Sequence, residues 1–525
     1  MLHTTFYQRS FLELDPDVIG LPANSFERHL RHLLPRIVAP KDFLGFYHDT
    51  MGTSSCCPIR LTGMLILQFR YGLSDPEVVD RCNRDLGFKC ALGMSADERS
   101  YSVSSLRRFR TKVRKHRGED FIHGRVLAIA KDAGILDDKE LQSADSTNTD
   151  SRGAVIDTYN LVAAAIKQVV RKLADCLQVR PESLAEKWGL TRYLRRSIKG
   201  AVSIDWNDKS QRDGLITEEI RDAEELVTRI KGLNLKLPAE ISEAMDLMLK
   251  VAHQDVAKLG DGTYTIAVGT APGRIISVTD PEARHGHKTQ RKVINGFKTH
   301  VLGTLRSQFV TGIAITDASV HDSQPTEELI DQAAKNGVDP KELVGDCAYG
   351  TGPNRRRCHA RGVEVRAKDP VPSIHTAIGK HEFGLDLDKM LLTCPAGEST
   401  SQFTWVKAAE GAGQLVPTFK FQKETCRTCP LKEKCNSQTR NGGGRRVRLS
   451  AYEREMREAR AYNATPRGKE ILRSRSAIER LISHLVRMGM RHARFFGKYM
   501  VQFQAFMTAA AYNLQRYVTL CSQRR

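Results

Sequence analysis

Two short runs of apolar and small residues each lead to an aspartate, and they limit the architecture more than any other feature of the chain. The first is Leu141-Gln142-Ser143-Ala144-Asp145-Ser146-Thr147, and the second is Glu342-Leu343-Val344-Gly345-Asp346-Cys347-Ala348-Tyr349. A run of this kind reads as a buried strand that delivers a carboxylate to its tip. Further strands are expected at 274–279, 296–302 and 309–315, with a helix over 325–336 leading into the strand that ends at Asp346. Strand, helical excursion, strands, helix, strand and later helices imply an α/β fold with a mixed sheet interrupted by insertions.

A third acid, Glu479, lies in a stretch expected to be helical from 468 to 488. Ile471, Ile478, Ile482 and Leu485 fall on one stripe, which a helix would bury. Arg475, Glu479, Ser483 and Arg487 recur every four residues on an adjacent face. Thr465-Pro466 marks a start for this helix and Gly489 a stop. Taken singly, each acid has an ordinary reading. A strand-end aspartate is often a turn or cap residue, and Arg475 with Glu479 has the spacing of a helical salt bridge. Taken together, three carboxylates from separated elements match the ligand set of Mg²⁺ or Mn²⁺. Two such ions about 3.5–4 Å apart can clamp a phosphodiester for in-line attack.

The charge balance favours phosphate as the partner. The 525-residue chain has a formal net charge of +20, and from Arg440 onward 17 Arg and 2 Lys stand against 5 Glu. Arginine forks match phosphate oxygens in pairs, although a solvated basic surface gives the same count. Residues 1 to 140 read as helical, with Ser74 and Glu77 forming a capping box after an apolar helix that ends at Tyr71. Helix, short turn and capped helix are compatible with a helix-turn-helix. A further helix from Ser104 carries Arg107, Arg108 and Arg110, which reads either as a DNA contact or as a solvated face. Lys298 and His300 alternate on one strand face, toward DNA or toward solvent. His321 and Asp322 either join the acids or cap the next helix. A length of 525 residues divides into two to four domains. No run approaches the roughly 20 apolar residues of a membrane helix, and no secretory signal opens the chain, so a cytoplasmic protein is expected.

Of the 12 cysteines, Cys394, Cys426, Cys429 and Cys435 stand apart in a segment poor in aliphatic residues. The spacing Cys426-x₂-Cys429 suits a structural Zn²⁺ site. Four reduced thiols in a loop-rich insertion are the other reading.

These motifs together resemble the DDE transposases of bacterial insertion sequences. The resemblance rests on Ala144-Asp145-Ser146-Thr147, on Gly345-Asp346-Cys347-Ala348-Tyr349, on Arg475-Ser476-Ala477-Ile478-Glu479-Arg480 and on the late Asn513-Leu514. Tyr71-Gly72-Leu73-Ser74-Asp75, 279–284 and 296–300 also resemble the family. In one branch the glutamate is accompanied by an arginine four before, a tyrosine seven before and a lysine seven after. Here Arg475 fits, whereas Leu472 and Val486 hold the other two places, with Arg487 next to the second. The resemblance implies a ribonuclease-H-like catalytic domain with Asp145, Asp346 and Glu479 as the metal-binding triad. It also implies cleavage of terminal inverted repeats, strand transfer into target DNA, a homodimer, and a bacterial, nucleoid-associated location. The divisions expected on this basis are a helical DNA-binding region at 1–140 and a catalytic domain at 141–384 with a helical insertion at 160–259. A cysteine-bearing insertion at 385–450 and closing helices at 451–525 follow. Two other functions compete with it: a catalytically inactive DNA-binding relative and a stand-alone metal-dependent nuclease.

Overall fold

The computed structural model describes residues 13–47, 56–289, 292–369, 378–408, 413–436 and 443–523. Among the described residues six α-helices come first: α1 (Phe26–Ile37), α2 (Pro58–Arg70), α3 (Asp75–Arg84), α4 (Leu86–Ala91), α5 (Val103–Arg117) and α6 (Phe121–Asp132). The expected capping box starts α3, where Ser74 Oγ accepts from Glu77 N at 3.3 Å and Glu77 Oε2 accepts from Ser74 N at 2.7 Å. Strand β1 (Gln142–Asp150) then carries Asp145 within the strand and not at the expected tip, because pairing with the next long strand continues to Asp150. The helices α7 (Thr158–Cys176), α8 (Pro181–Trp188), α9 (Lys209–Gly232) and α10 (Ala239–Gln254) follow, and then the hairpin β2 (Val256–Lys258) and β3 (Tyr264–Ile266). These helices bury a core of their own around Ile166, Val170, Ile220 and Met248.

The chain then returns to the sheet of β1 through β4 (Arg284–Thr289), β5 (Lys292–Thr304), β6 (Val310–Asp317), α11 (Thr326–Lys335), β7 (Glu342–Gly345), α12 (Gly352–Ala360) and β8 (Glu364–Ala367). The six strands run in the order β4-β5-β1-β7-β8, with β6 also paired to β5. Strand β5 is long enough for one edge to serve two partners, β4 beside Gly296 and β6 from Phe297 onward. The pairs made by β5 are antiparallel, whereas β1, β7 and β8 run parallel. The sheet is therefore mixed, as the order of apolar runs implies. One expected strand is absent: 274–279 joins no sheet and bends from Val278 onward. Its backbone is satisfied by a side chain instead, since Ile275 N donates to Gln254 Oε1 at 2.9 Å and Gln254 Nε2 donates to Ile275 O at 3.0 Å.

Beyond the sheet lie two small three-stranded sheets. One is β9 (Gly384–Asp386), β10 (Leu391–Thr393) and β11 (Ser399–Thr400). The other is β12 (Phe403–Lys407), β13 (Leu415–Lys420) and β14 (Arg446–Arg448), with the short helices α13 (Lys423–Thr428) and α14 (Lys432–Asn436) inserted before β14. The closing helices are α15 (Glu453–Ala464), α16 (Pro466–Ser474), α17 (Ser476–Leu485) and α18 (Lys498–Gln523).

Helices cover both faces of the main sheet. On one face α17 and α18 bury Ile478, Leu481 and Phe506 against Phe297, Val301 and Ile313. On the other, Leu329 and Ile330 of α11 and Cys358 of α12 pack with Ala144, Leu302 and Leu343. The far side of α18 contributes Phe503, Met507 and Leu514 to the core of the N-terminal helices. One side chain on α18 completes the hydrogen bonding of the sheet edge. Asn513 Oδ1 accepts from Val310 N and Asn513 Nδ2 donates to Val310 O, both at 2.8 Å. From α6, His123 Nε2 donates to the same carbonyl at 2.9 Å.

Two outcomes follow from this junction. Asn513→Ala strands a buried N–H and weakens a buried carbonyl, so chemical denaturation should register a loss of ~2–4 kcal/mol. Burial pushes the His123 imidazole down to about 4, below the ordinary value near 6.5. Between those values the folded state binds fewer protons than the unfolded state, so stability is full above about pH 6.5 and falls toward pH 4. Denaturant midpoints across this window should show up to ~3 kcal/mol less acid sensitivity in His123→Gln than in the parent.

Candidate active site

The parallel pairing of β1 with β7 sets Ser143 beside Val344. Asp145 therefore comes near the end of β7, where Asp346 is the first residue past the strand. Each aspartate is oriented by a local backbone amide. Asp145 Oδ1 accepts from Ser146 N at 2.8 Å, and Asp346 Oδ1 accepts from Ala348 N at 2.9 Å. Gly345 has a packing role here, because a Cβ at that position would lie 2.7 Å from Cβ of Tyr349. The Tyr349 ring thus folds back over the strand end, and its buried hydroxyl finds no partner among the described residues.

Glu479 comes from α17, and the expected stripe is buried, with Ile471 on α16 and Ile478, Ile482 and Leu485 on α17. The helix is not continuous across 468–488. It is interrupted at Arg475, between α16 and α17, and ends in a π-turn over Val486–Met490. Gly489 there takes a φ of 99°, which favours glycine. Thr465 caps the start, its Oγ1 accepting from Gly468 N at 3.0 Å.

Arg475 stands between the acids. Its Nη1 lies 3.4 Å from Asp145 Oδ2 and its Nη2 lies 2.5 Å from Glu479 Oε1. The carboxyl of Asp145 is pushed up to about 6, first by burial and then by the carboxylates of Asp346 and Glu479, with the Ser146 amide and Arg475 opposing the shift. The three acids therefore share one electrostatic neighbourhood, and their oxygens are of the type a hard divalent cation takes. Their placement is nevertheless that of acids neutralised by an arginine. Among the described residues no three His, Cys, Asp or Glu side chains are set to hold a metal ion.

Beside the acids opens a cleft of ≈ 600 Å³ lined by Asp346, Lys368, Lys469, Arg473, Arg475 and Glu479, among others. Lys368 follows β8, and Lys469 and Arg473 are one turn apart on α16. All three are exposed, and none has an ion-pair partner among the described residues. Sequence reading passed over them, although the spacing of Lys469 and Arg473 places them on one helix face ahead of Arg475.

The expected DNA contacts divide. Arg108 and Arg487 are exposed, with Arg487 Nη2 2.8 Å from His484 Nδ1. Arg107 is exposed as well but pairs with Asp75 Oδ2 at 3.0 Å. Arg110 is buried, ion-paired to Asp75 and stacked over Phe495, so it serves the packing of α5 and does not reach a ligand. Lys298 donates to Asp322 Oδ1 at 2.9 Å and to Val320 O at 2.7 Å. His300 is fully buried, with Nε2 2.8 Å from Thr316 Oγ1. Because α11 and α12 cover that face of the sheet, neither side chain is presented outward. Asp322 therefore serves Lys298, while His321 Nδ1 lies 2.9 Å from Ser323 Oγ in the turn before α11.

The expectation of a Zn²⁺ site is not supported. Cys394, Cys426, Cys429 and Cys435 line one cavity of ≈ 210 Å³, but they are not placed as a ligand set. The segment also has an apolar core, made by Phe383, Leu392, Phe419 and Phe421, against which Cys394, Cys426 and Cys435 pack. Burial raises the Cys435 thiol above its ordinary value, as expected for a protonated thiol packed like a small hydrophobe.

Two family models match the chain. One, described as Transposase DDE domain, covers residues 393–518 and so includes Glu479. The other, described as Transposase domain (DUF772), covers residues 20–112 in the N-terminal helices. Asp145 and Asp346 lie between the two matches. These matches support a DDE transposase of an insertion sequence, a family of enzymes that act on DNA and typically use divalent metals. No curated protein and no solved structure matches the chain. Among the described residues no helix is long and apolar enough to cross a membrane.

The fate of Arg110 gives a direct check. Asp75→Ala leaves its buried charge without a carboxylate, so stability should drop by ~3–5 kcal/mol in denaturant melts. Arg108→Ala, at an exposed position of the same helix, should leave the melt within about 0.5 kcal/mol of the parent.

Proposed function

We propose that the chain binds the terminal inverted repeats of its own element, cleaves phosphodiester bonds at the element ends and joins the freed 3′-hydroxyls to target DNA. The observation that carries this reading is the meeting of Asp145, Asp346 and Glu479 at one end of the sheet, beside a cleft where Lys368, Lys469 and Arg473 have no ion-pair partner among the described residues. The sheet order, with antiparallel neighbours on one side of β1 and parallel ones on the other, supports a ribonuclease-H-like catalytic domain. In this reading residues 141–384 and 451–525 form that domain, 160–259 and 385–450 are insertions, and 1–140 bind DNA with the basic tail. Two copies act together, since an element has two ends to process.

Asp145, Asp346 and Glu479 would hold two Mg²⁺ or Mn²⁺ ions, which supply a Lewis acid and lower the pKa of a bound water or hydroxyl. The chain's own groups do the rest. The Ser146 and Ala348 amides fix the two aspartates in rotation. Lys368, Lys469 and Arg473 receive backbone phosphates, which sets the register of the strand without reading its sequence. Arg487 and Arg108 extend the positive surface beyond the cleft. Binding through such contacts weakens steeply with salt.

The test is incubation of the protein with Mg²⁺ and a duplex carrying the inverted repeat found beside its gene. Cleavage followed by strand joining is expected, and Asp145→Asn, Asp346→Asn and Glu479→Gln should each lower the rate on the order of 10³-fold or more. Cleavage without joining would point to a stand-alone nuclease. Binding without cleavage by the parent protein would point to an inactive DNA-binding relative.

A further inference from the structure

The cations of the cleft are of two kinds. Lys368, Lys469 and Arg473 point into it with no ionic partner among the described residues. Arg475 lines the same cleft but is held by one nitrogen on Asp145 and the other on Glu479. The oxygens it holds, Asp145 Oδ2 and Glu479 Oε1, belong to the acids that a divalent cation would need. A guanidinium and a divalent cation repel each other and compete for these carboxylate oxygens. Arg475 also sits at the interruption between α16 and α17. Lys469 and Arg473 on the preceding turns form a track for phosphates on the same wall. A phosphate arriving there offers the guanidinium two oxygens on one group in place of the single oxygens it takes from two acids.

We propose that Arg475 is the counter-ion of the acid cluster in the DNA-free protein, and that the DNA backbone, received by Lys368, Lys469 and Arg473, takes it over. Divalent cation and DNA then bind the cleft with positive cooperativity, and the acids stay neutralised until substrate is present. This rests on the reading of the cleft as a DNA-cleaving site. By linkage the coupling is reciprocal: DNA tightens the ion and the ion tightens DNA by one common factor.

The experiment measures Mn²⁺ binding to the full chain by the paramagnetic resonance signal of free Mn²⁺, at constant ionic strength, with and without a short blunt DNA duplex. Asp346→Asn with the same duplex gives the background of ions held by DNA alone. In the parent protein, DNA should tighten Mn²⁺ about tenfold, within the range usual for coupled sites. Arg475→Gln should bind Mn²⁺ about tenfold more tightly than the parent without DNA, and gain little when DNA is added. Lys469→Gln combined with Arg473→Gln should keep the parent's DNA-free Mn²⁺ affinity and lose the response at the same duplex concentration. Circular dichroism melts of each variant, matching the parent, establish that the fold is kept. Mn²⁺ binding that depends on Asp346 but is the same in the parent and in Arg475→Gln overturns the counter-ion role alone. No Asp346-dependent Mn²⁺ binding, with or without DNA, overturns the role of the acids as well.

Discussion

Carboxylates gathered at one end of a sheet repel one another, and the arrangement around them follows from that repulsion. Asp145 is largely buried beside Asp346 and Glu479, and both neighbours raise its affinity for a proton. Such a cluster persists only if it is protonated, paired or bound to a cation. The chain supplies a cation of its own, Arg475, shared between two of the acids. The long basic wall of the cleft then has a second effect beyond attracting a polyanion. It lowers the cost of keeping three acids close together in the absence of any ligand, through a positive potential that no single pair provides.

Holding the acids together also requires that two strands and a helix keep fixed positions across several hundred residues of chain. The terminal helix α18 does this by packing on both sides. One side lies on the sheet next to α17, and the other completes the core of the N-terminal helices. Asn513 ties it to the sheet edge by imitating a neighbouring strand at Val310, so the helix is fixed in register as well as in contact. The N-terminal helices are thereby built into the support of the site, and the covering of one sheet face depends on the last helix of the chain.

Much of this was legible in the sequence, for identifiable reasons. The two runs became parallel neighbours because short apolar segments have few alternatives to a buried strand, but only Asp346 follows a strand end, since β1 continues past Asp145 to Asp150. The capping box at Ser74 and the stripe of Ile478, Ile482 and Leu485 appeared as read, since both depend on local spacing. What failed depended on partners distant in sequence. The segment 274–279 has the composition of a strand, yet Gln254 supplies the hydrogen bonds a neighbouring strand would have given. Arg110, Lys298 and His300 looked like contacts for DNA because charge is visible in sequence and burial is not. Asp75, Asp322 and the covering helices decided their use. The four cysteines carried the spacing of a ligand set, while the aromatic residues that give their segment a core are scattered between Phe383 and Phe421.

The interruption at Arg475 was equally hidden, because the sequence reads as one amphipathic helix. Arginine suits this position for reasons that lysine does not share. Its planar fork reaches two carboxylates at once, through separate nitrogens, while staying fully charged. A lysine would offer one compact charge to one acid and would leave the other unpaired. The same fork geometry matches two oxygens of a phosphate. On the proposed reading, a residue able to bind either acceptor lets the acids pass from internal neutralisation to an external cation without a bare intermediate state. That continuity of neutralisation, set on the same reading by one side chain between α16 and α17, offsets the repulsion of the largely buried Asp145 from Asp346 and the more exposed Glu479.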